Sequence, residues 1–165
     1  MFHSWEVDLL YHSDSGIYGG SHTFASNVLT DLDGKNWFAP DHSTNSYFIL
    51  SVNGGNSPIG KFVLRNPPTS WTRWTKDFTI EVSADMASWS VAATGTLPYN
   101  EDLTTICSEV PDMQVGYIKF TATSYHDVSG VGLQYFSAET ECDSGDKYFS
   151  SHVQASGGST YYIRT

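Results

Sequence analysis

The segment Thr75–Leu97 constrains this chain more than any other part of it. Its first half alternates: Phe78, Ile80 and Val82 fall on one face of an extended chain, and Thr79, Glu81 and Ser83 on the other. Ser83-Ala-Asp then supplies a turn, because short polar side chains bond their own backbone. Trp89 and Val91 are expected to restart the apolar face. A segment of this kind makes an antiparallel hairpin with one wet and one dry side, and it needs a second layer to cover the dry one.

The remaining chain repeats the theme. Phe62 and Leu64 share a face within Lys61–Arg65, and Ile118, Phe120 and Ala122 share one within Tyr117–Tyr125. Further strands are expected at Trp5–Leu10, Tyr47–Val52, Phe78–Ser83, Ser90–Ala93 and Leu133–Glu139, with a last one in Thr160–Ile163. The breaks between them are rich in turn formers: Asn53-Gly-Gly-Asn-Ser-Pro, Asn66-Pro-Pro-Thr-Ser and Asp127-Val-Ser-Gly-Val-Gly. No sustained 3.6-residue apolar period is present. Two sheets with inward apolar faces would pack about 10 Å apart. The fold class is therefore all-β, an antiparallel sandwich or barrel. At 165 residues the chain suits a single domain spanning 1–165. Residues 140–165 are polar and read as a C-terminal extension packed on that domain.

Composition narrows the partners. A formal charge of −10 and no cluster of Lys or Arg exclude nucleic acid and disfavour anionic membrane phospholipid. Charged residues make up 16% and aromatics 15%, a balance suited to pleated sheets. Met1–Asp8 has neither a basic region nor a long apolar run, so it does not read as a signal peptide. If secreted, the chain is expected to be mature or excised from a larger protein. Cys107 and Cys142 are a disulfide in an extracellular setting, or two buried thiols in a reducing one. They lack the spacing of a zinc site.

Three stretches in series resemble the discoidin domain, the C-type domain of coagulation factors V and VIII, in the galactose-binding-like superfamily. The first is Ala25-Ser-Asn-Val-Leu-Thr-Asp-Leu-Asp-Gly with Trp37 after it. The second is Phe62-Val-Leu-Arg-Asn followed by Arg73-Trp-Thr-Lys-Asp-Phe-Thr-Ile-Glu-Val-Ser-Ala-Asp and Trp89. The third is Tyr117-Ile-Lys-Phe-Thr-Ala-Thr-Ser-Tyr and Gly132-Leu-Gln-Tyr-Phe-Ser-Ala-Glu, similar to the family's closing hairpin. The resemblance implies a β-sandwich jelly roll with ligand loops at one end. It also implies a structural calcium between the early Asp loop and a closing-strand glutamate. Carried onto this chain, the metal ligands are Asp31 or Asp33, with Asn36 and Glu139. All are hard oxygen donors of the kind calcium takes, although Asp and Asn also simply favour turns.

The expected function is a non-catalytic extracellular or cell-surface module that binds a glycan or glycoprotein, as a lectin does. Sugar sites stack an aromatic ring on a pyranose face and bond its hydroxyls with polar side chains. The loop residues that suit this are His42, Arg65, Trp71, Arg73, Trp74 and His126, with Trp71 expected to be the more exposed tryptophan. The alternatives are a cell-adhesion or membrane-docking module, or a structural domain that meets other domains of a larger chain. No Gly-x-Ser-x-Gly, His-Glu-x-x-His or Gly-rich phosphate loop points to catalysis.

Overall fold

The computed structural model describes residues 4–20, 23–32, 34–68 and 72–143. Ten strands and a 3-10 helix at Ala25–Leu29 follow one another. The strands are β1 Leu9–Asp14, β2 Trp37–Phe38, β3 Ser46–Val52, β4 Lys61–Arg65 and β5 Asp77–Ser83. They continue with β6 Ser90–Thr96, β7 Thr104–Cys107, β8 Tyr117–Ala122, β9 Gly132–Leu133 and β10 Tyr135–Glu139. A five-stranded sheet runs β1-β3-β8-β5-β6 and a three-stranded sheet runs β10-β4-β7, both antiparallel; β2 and β9 form a short third pair. The chain is an all-β jelly-roll sandwich.

The core lies between the two larger sheets. Phe48 and Leu50 of β3, Phe78, Ile80 and Val82 of β5, and Ile118 and Phe120 of β8 are buried, opposed by Phe62, Leu64 and Phe136. The ring of Phe120 stacks on Phe48 at 5.2 Å and on Phe78 at 5.7 Å. Phe136 meets Phe48 edge-on across the sandwich at 5.8 Å. Burying each such ring contributes roughly 1.5–3 kcal/mol.

The central hairpin forms with Asp77 opposite Thr96 and Val82 opposite Ser90. Its turn is built as the sequence expects: Ser83 Oγ accepts from the Met86 amide at 2.8 Å, and Asp85 Oδ1 from the Ala87 amide at 2.8 Å. The Ala87 amide, with that of Ser88, holds the Asp85 carboxyl below its ordinary value. The apolar face of β6 differs from expectation. Val91 is 47% exposed and Trp89 half-buried, while Ala92 and Ala93 are both buried. A bulge is the reason. Ile80 faces Ala93 and Glu81 faces Val91, so Ala92 is the extra residue and the side-chain parity reverses before it. Gly95 follows from the same packing, because a Cβ there would lie 2.9 Å from the Phe78 ring.

Other strands shift as well. The first was expected at Trp5–Leu10, but the chain there bonds β10 first, with the Val7 amide donating to the Ala138 carbonyl at 2.8 Å, and joins β3 only from Leu9. Tyr117–Tyr125 and Leu133–Glu139 do not pair as a hairpin. β8 lies between β3 and β5, whereas β10 pairs with β4. Leu133–Glu139 is split at Gln134, whose amide donates to the Arg65 carbonyl at 2.9 Å. The short strands β2 and β7 carry too little alternation to be seen in the sequence. Thr160–Ile163 lies outside the described residues, as does all of the extension beyond residue 143.

Cys107 and Cys142 are bonded to each other, with Cα atoms 5.7 Å apart. The bond fastens the chain after β10 to the end of β7. In the loop-entropy description it contributes about 3–4 kcal/mol. Reduction should therefore lower the melting temperature, and free-thiol titration of unreduced protein should find none; two reactive thiols with an unchanged melt would contradict this.

Asp77 ties β5 to β6 and to the segment after β8. Its carboxylate accepts from Thr96 Oγ1 at 2.7 Å and from Ser124 Oγ at 2.8 Å. The Thr96 hydroxyl chiefly, with the Ser124 hydroxyl and the charges of Lys76 and His126, holds its pKa down. A depressed carboxyl adds stability above its unfolded pKa, and that stability is lost as pH falls through the folded one. Asp77→Asn should cost about 1 kcal/mol at neutral pH. The gap from the parent should close at pH values below the ordinary carboxylate range. Denaturant melts across an acid series check this; a gap independent of pH would contradict it.

Candidate functional site

Three loops meet at one end of the sandwich, and backbone bonds weld them together. The Trp74 amide donates to the Gly130 carbonyl at 3.2 Å, and Thr75 Oγ1 donates to the Gly132 carbonyl at 2.7 Å. The His42 amide donates to the Ser129 carbonyl at 2.9 Å. Beneath them the Asn66 amide group bonds both backbone groups of Thr75 at 2.9 Å. Gly132 permits this approach, since a Cβ would fall 2.7 Å from the Phe38 ring and 2.9 Å from the Arg73 carbonyl oxygen. A fourth segment joins where the Tyr18 amide donates to the Phe38 carbonyl at 2.8 Å.

Arg73 stands at the centre and is only 7% exposed. Its Nε donates to the Ala39 carbonyl at 3.3 Å, and its terminal nitrogen pairs with Asp41. The guanidinium lies 3.7 Å from the centre of the Tyr18 ring and 5.6 Å from that of Phe38. Planar stacking and forked donation suit arginine and not lysine. Asp41 is presented by a tight turn in which Ser43 bonds the Pro40 carbonyl and His42 takes φ 57°. His42 itself is exposed.

Beside this lies a second aromatic group. Tyr99 is 58% exposed, packs edge-on against Trp74 at 4.5 Å and stacks on His126 at 5.1 Å. His126 Nε2 lies 2.8 Å from the Leu97 carbonyl oxygen, which can only accept, so the ring carries a proton on Nε2. The Tyr99 hydroxyl donates to Asp127 at 3.1 Å, and that bond raises the phenol pKa.

Of the expected ligand residues, His42, Arg73, Trp74 and His126 come together here. Trp74 is 1% exposed, so its ring supports Tyr99 and offers no face to a ligand. Arg65 is not part of the cluster's surface: it pairs with Asp31 at 2.5 Å. Trp71 lies outside the described residues. Sequence reasoning missed Tyr18, Asp41, Tyr99 and Asp127. Tyr99 had a usable signal, an aromatic in the polar stretch Pro98-Tyr-Asn-Glu-Asp between two strands. Asp41 and Asp127 each stand beside a histidine that had been singled out.

The expected calcium ligands are not brought together. Glu139 lies five residues beyond Gln134, about 16 Å along an extended chain, and it pairs with Lys61 at 3.6 Å and accepts from Ser4 at 2.9 Å. Asp31 instead accepts from Arg65 and from Gln134 Nε2, the latter at 3.2 Å. Asp33 lies outside the described residues. Buried atoms nearby have no protein partner: both polar atoms of Asn36, Arg65 Nε and Gln134 Oε1. Donors and acceptors mixed in this way suit a buried water, whereas a divalent cation needs oxygens alone and is repelled by a guanidinium. The described residues do not fit calcium, and none of them form a group of three or more acidic, His or Cys ligands. The melting temperature should therefore be indifferent to chelator. Arg65→Met, which strands Asp31, should lower stability by about 1–2 kcal/mol. A melt that falls on chelation and recovers with calcium would contradict this.

An antiparallel sandwich with its polar and aromatic loops bonded together at one end is the architecture of a β-sandwich domain. The chain belongs to the F5/8 type C domain family, whose profile matches residues 12–135. No curated protein matches it by sequence. Among solved structures it is similar to the family 32 carbohydrate-binding module of Clostridium perfringens NanJ in complex with galactose. There the TM-score is 0.68 and the identity 12%, over 82% of this chain and 98% of the other. It is likewise similar to the family 32 module of AlyQ in complex with 4,5-unsaturated mannuronic acid, with TM-score 0.67 and 15% identity over 81% and 97% of the two chains. A third relative is a Clostridium perfringens module in complex with GalNAc-β-1,3-galactose, with TM-score 0.65 and 12% identity over 79% and 94%.

Proposed function

We propose that this protein is a non-catalytic carbohydrate-binding module and that its glycan site is the loop end built around Arg73. The observation that carries the reading is the arrangement of that residue. A guanidinium 7% exposed is fixed between a tyrosine ring and a carboxylate, next to an exposed tyrosine stacked on a histidine. Rigid rings offer a pyranose its stacking surface at little entropic cost. Asp41 and His42 are polar groups at the same end that can bond hydroxyls, and loops held by a stiff scaffold are where binding residues concentrate. Structural relatives hold galactose, GalNAc-β-1,3-galactose and an unsaturated mannuronic acid, so the fold carries sugar sites of several kinds. The Cys107–Cys142 bond supports an extracellular or cell-surface setting.

A glycan array followed by titration with the best hit tests this. Tyr99→Ala and His42→Ala should each weaken binding at least tenfold, a loss of about 1.4 kcal/mol. Neither should shift stability by more than about 1 kcal/mol, because both side chains are exposed. An array without hits, or full affinity in both variants, would sink the assignment.

A further inference from the structure

We infer that the flank of the sandwich holds a second binding site, separate from the loop end, and that it takes a primary alkylammonium: the head of a small aliphatic amine or of a lysine side chain. The site is a cavity of about 300 Å³ lined by two carboxylates, a buried hydroxyl and an apolar floor. None of its lining residues belongs to the loop-end cluster, so it stands whether or not that end binds a glycan.

The chain before β1 builds this cavity. It crosses from the three-stranded sheet to the five-stranded one, with the Val7 amide on the Ala138 carbonyl and Leu9 opposite Val52. β10 and β1 are edge strands of their sheets, so the two layers are open on this side. An extended chain sends alternate side chains to opposite faces. Val7 and Leu9 turn inward and are buried, whereas Glu6 and Asp8 share the outer face, about 7 Å apart along the backbone. Leu29 of the 3-10 helix, with Phe136 and Ser137 of β10, completes the lining. Ser137 is 6% exposed, and its hydroxyl bonds no group among the described residues. A buried hydroxyl left unmatched is costly, and a donor seated in the cavity would match it.

These features select the ligand. The Glu6 carboxylate has no ion pair or hydrogen bond among the described residues. Asp8 accepts from the neutral Asn53 side-chain amide at 2.8 Å, so neither negative charge is offset. Two such carboxylates repel an anion and attract a cation. Calcium is a poor fit, because it takes six or more oxygens and much of this wall is carbon. A sugar is a poor fit as well, because its many hydroxyls would meet few partners. An ammonium carries three donors, and Glu6, Asp8 and Ser137 are three acceptors for them. Leu9, Leu29 and Phe136 are then left to cover a hydrocarbon stem. A cavity of about 300 Å³ is at the small end of ligand sites, which suits one short chain.

Titration of the full chain at neutral pH, followed by amide NMR, tests this. The probes are 1,5-diaminopentane and N-acetyl-lysine methylamide, with 1,5-pentanediol and the norleucine analogue as their uncharged counterparts. At least one amine should move the Val7, Leu9 and Ser137 amides saturably, and bind at least about tenfold tighter than its counterpart. The Tyr99 and Gly130 amides should stay in place. Saturable binding of the diamine alone identifies a free amine as the source, and of the lysine derivative alone a protein side chain. Glu6→Gln and Asp8→Asn should each weaken the amine severalfold, and both positions are exposed, so the variants should fold. Ser137→Ala should weaken it as well. Glu101→Gln, in the Tyr99 loop, should leave it unchanged and so controls for attraction to the acidic surface at large. The inference is overturned if neither amine binds, if the uncharged counterparts bind as tightly, or if the shifts spread over the surface without saturating. Equal losses in Asp8→Asn and Glu101→Gln would overturn it too.

Discussion

The ring of Phe120 is the contact on which the rest of this molecule depends. It sits in the middle strand of the five-stranded sheet, stacked on neighbours from β3 and β5, and meets Trp37 and Phe136 edge-on at 6.0 Å. One side chain thus ties both large sheets and the short β2–β9 pair. Side chains of this size fix the distance between layers, because interiors pack at crystal-like density and tolerate neither gaps nor excess volume. Once that distance is set, the strand ends are set too, and the loops they carry must meet in one arrangement. Gly95 shows how tight the fit is. The Phe78 ring takes the space where any other residue would put its Cβ.

Much of this was legible in the sequence. Alternation in β4, β5 and β8 marked their inward faces correctly, since period two has a single reading once one face is dry. The failures are equally physical. Val91 was assigned inward because nothing in Ser90-Val-Ala-Ala-Thr announces a bulge; the extra residue, Ala92, is followed by another alanine, which hides the slip. The pairing of β8 with β10 was carried over from the resemblance to a closing hairpin, yet jelly-roll strands cross between sheets, and Asp127–Gly130 is such a crossing. Periodicity reports a strand's faces and is silent about its neighbours.

The site was legible in part, and for a related reason. His42, Arg73 and His126 were found because loop residues of those types are uncommon enough to stand out. Trp74 met the same criterion and is buried, since a ring beside a strand end can turn under the loop as easily as over it. Arg65 and Asp31 had been separated into a sugar site and a metal site. Their pairing required knowing that β4 ends opposite the turn after the 3-10 helix, and a sequence holds that only as tertiary structure. Arg65 supplies positive charge beside Asp31 covalently, where the family resemblance had implied a bound ion.

Burial of Trp74 changes what exposure of Tyr99 means. A tyrosine on an unsupported loop would lose rotamer freedom on binding a sugar, and that loss would offset part of the stacking gain. Here the ring is already held on three sides: Trp74 at its edge, His126 against one face and Asp127 at the hydroxyl. His126 is held in turn by the Leu97 carbonyl, and the backbone of Trp74 by Gly130. The ordering entropy is therefore met during folding and not at the moment of binding. The same applies to Arg73, fixed by Ala39, Asp41 and Tyr18. Such a surface presents one geometry to every ligand. Discrimination must then come from shape and from the charges at its rim, because the site has few side chains left to rearrange.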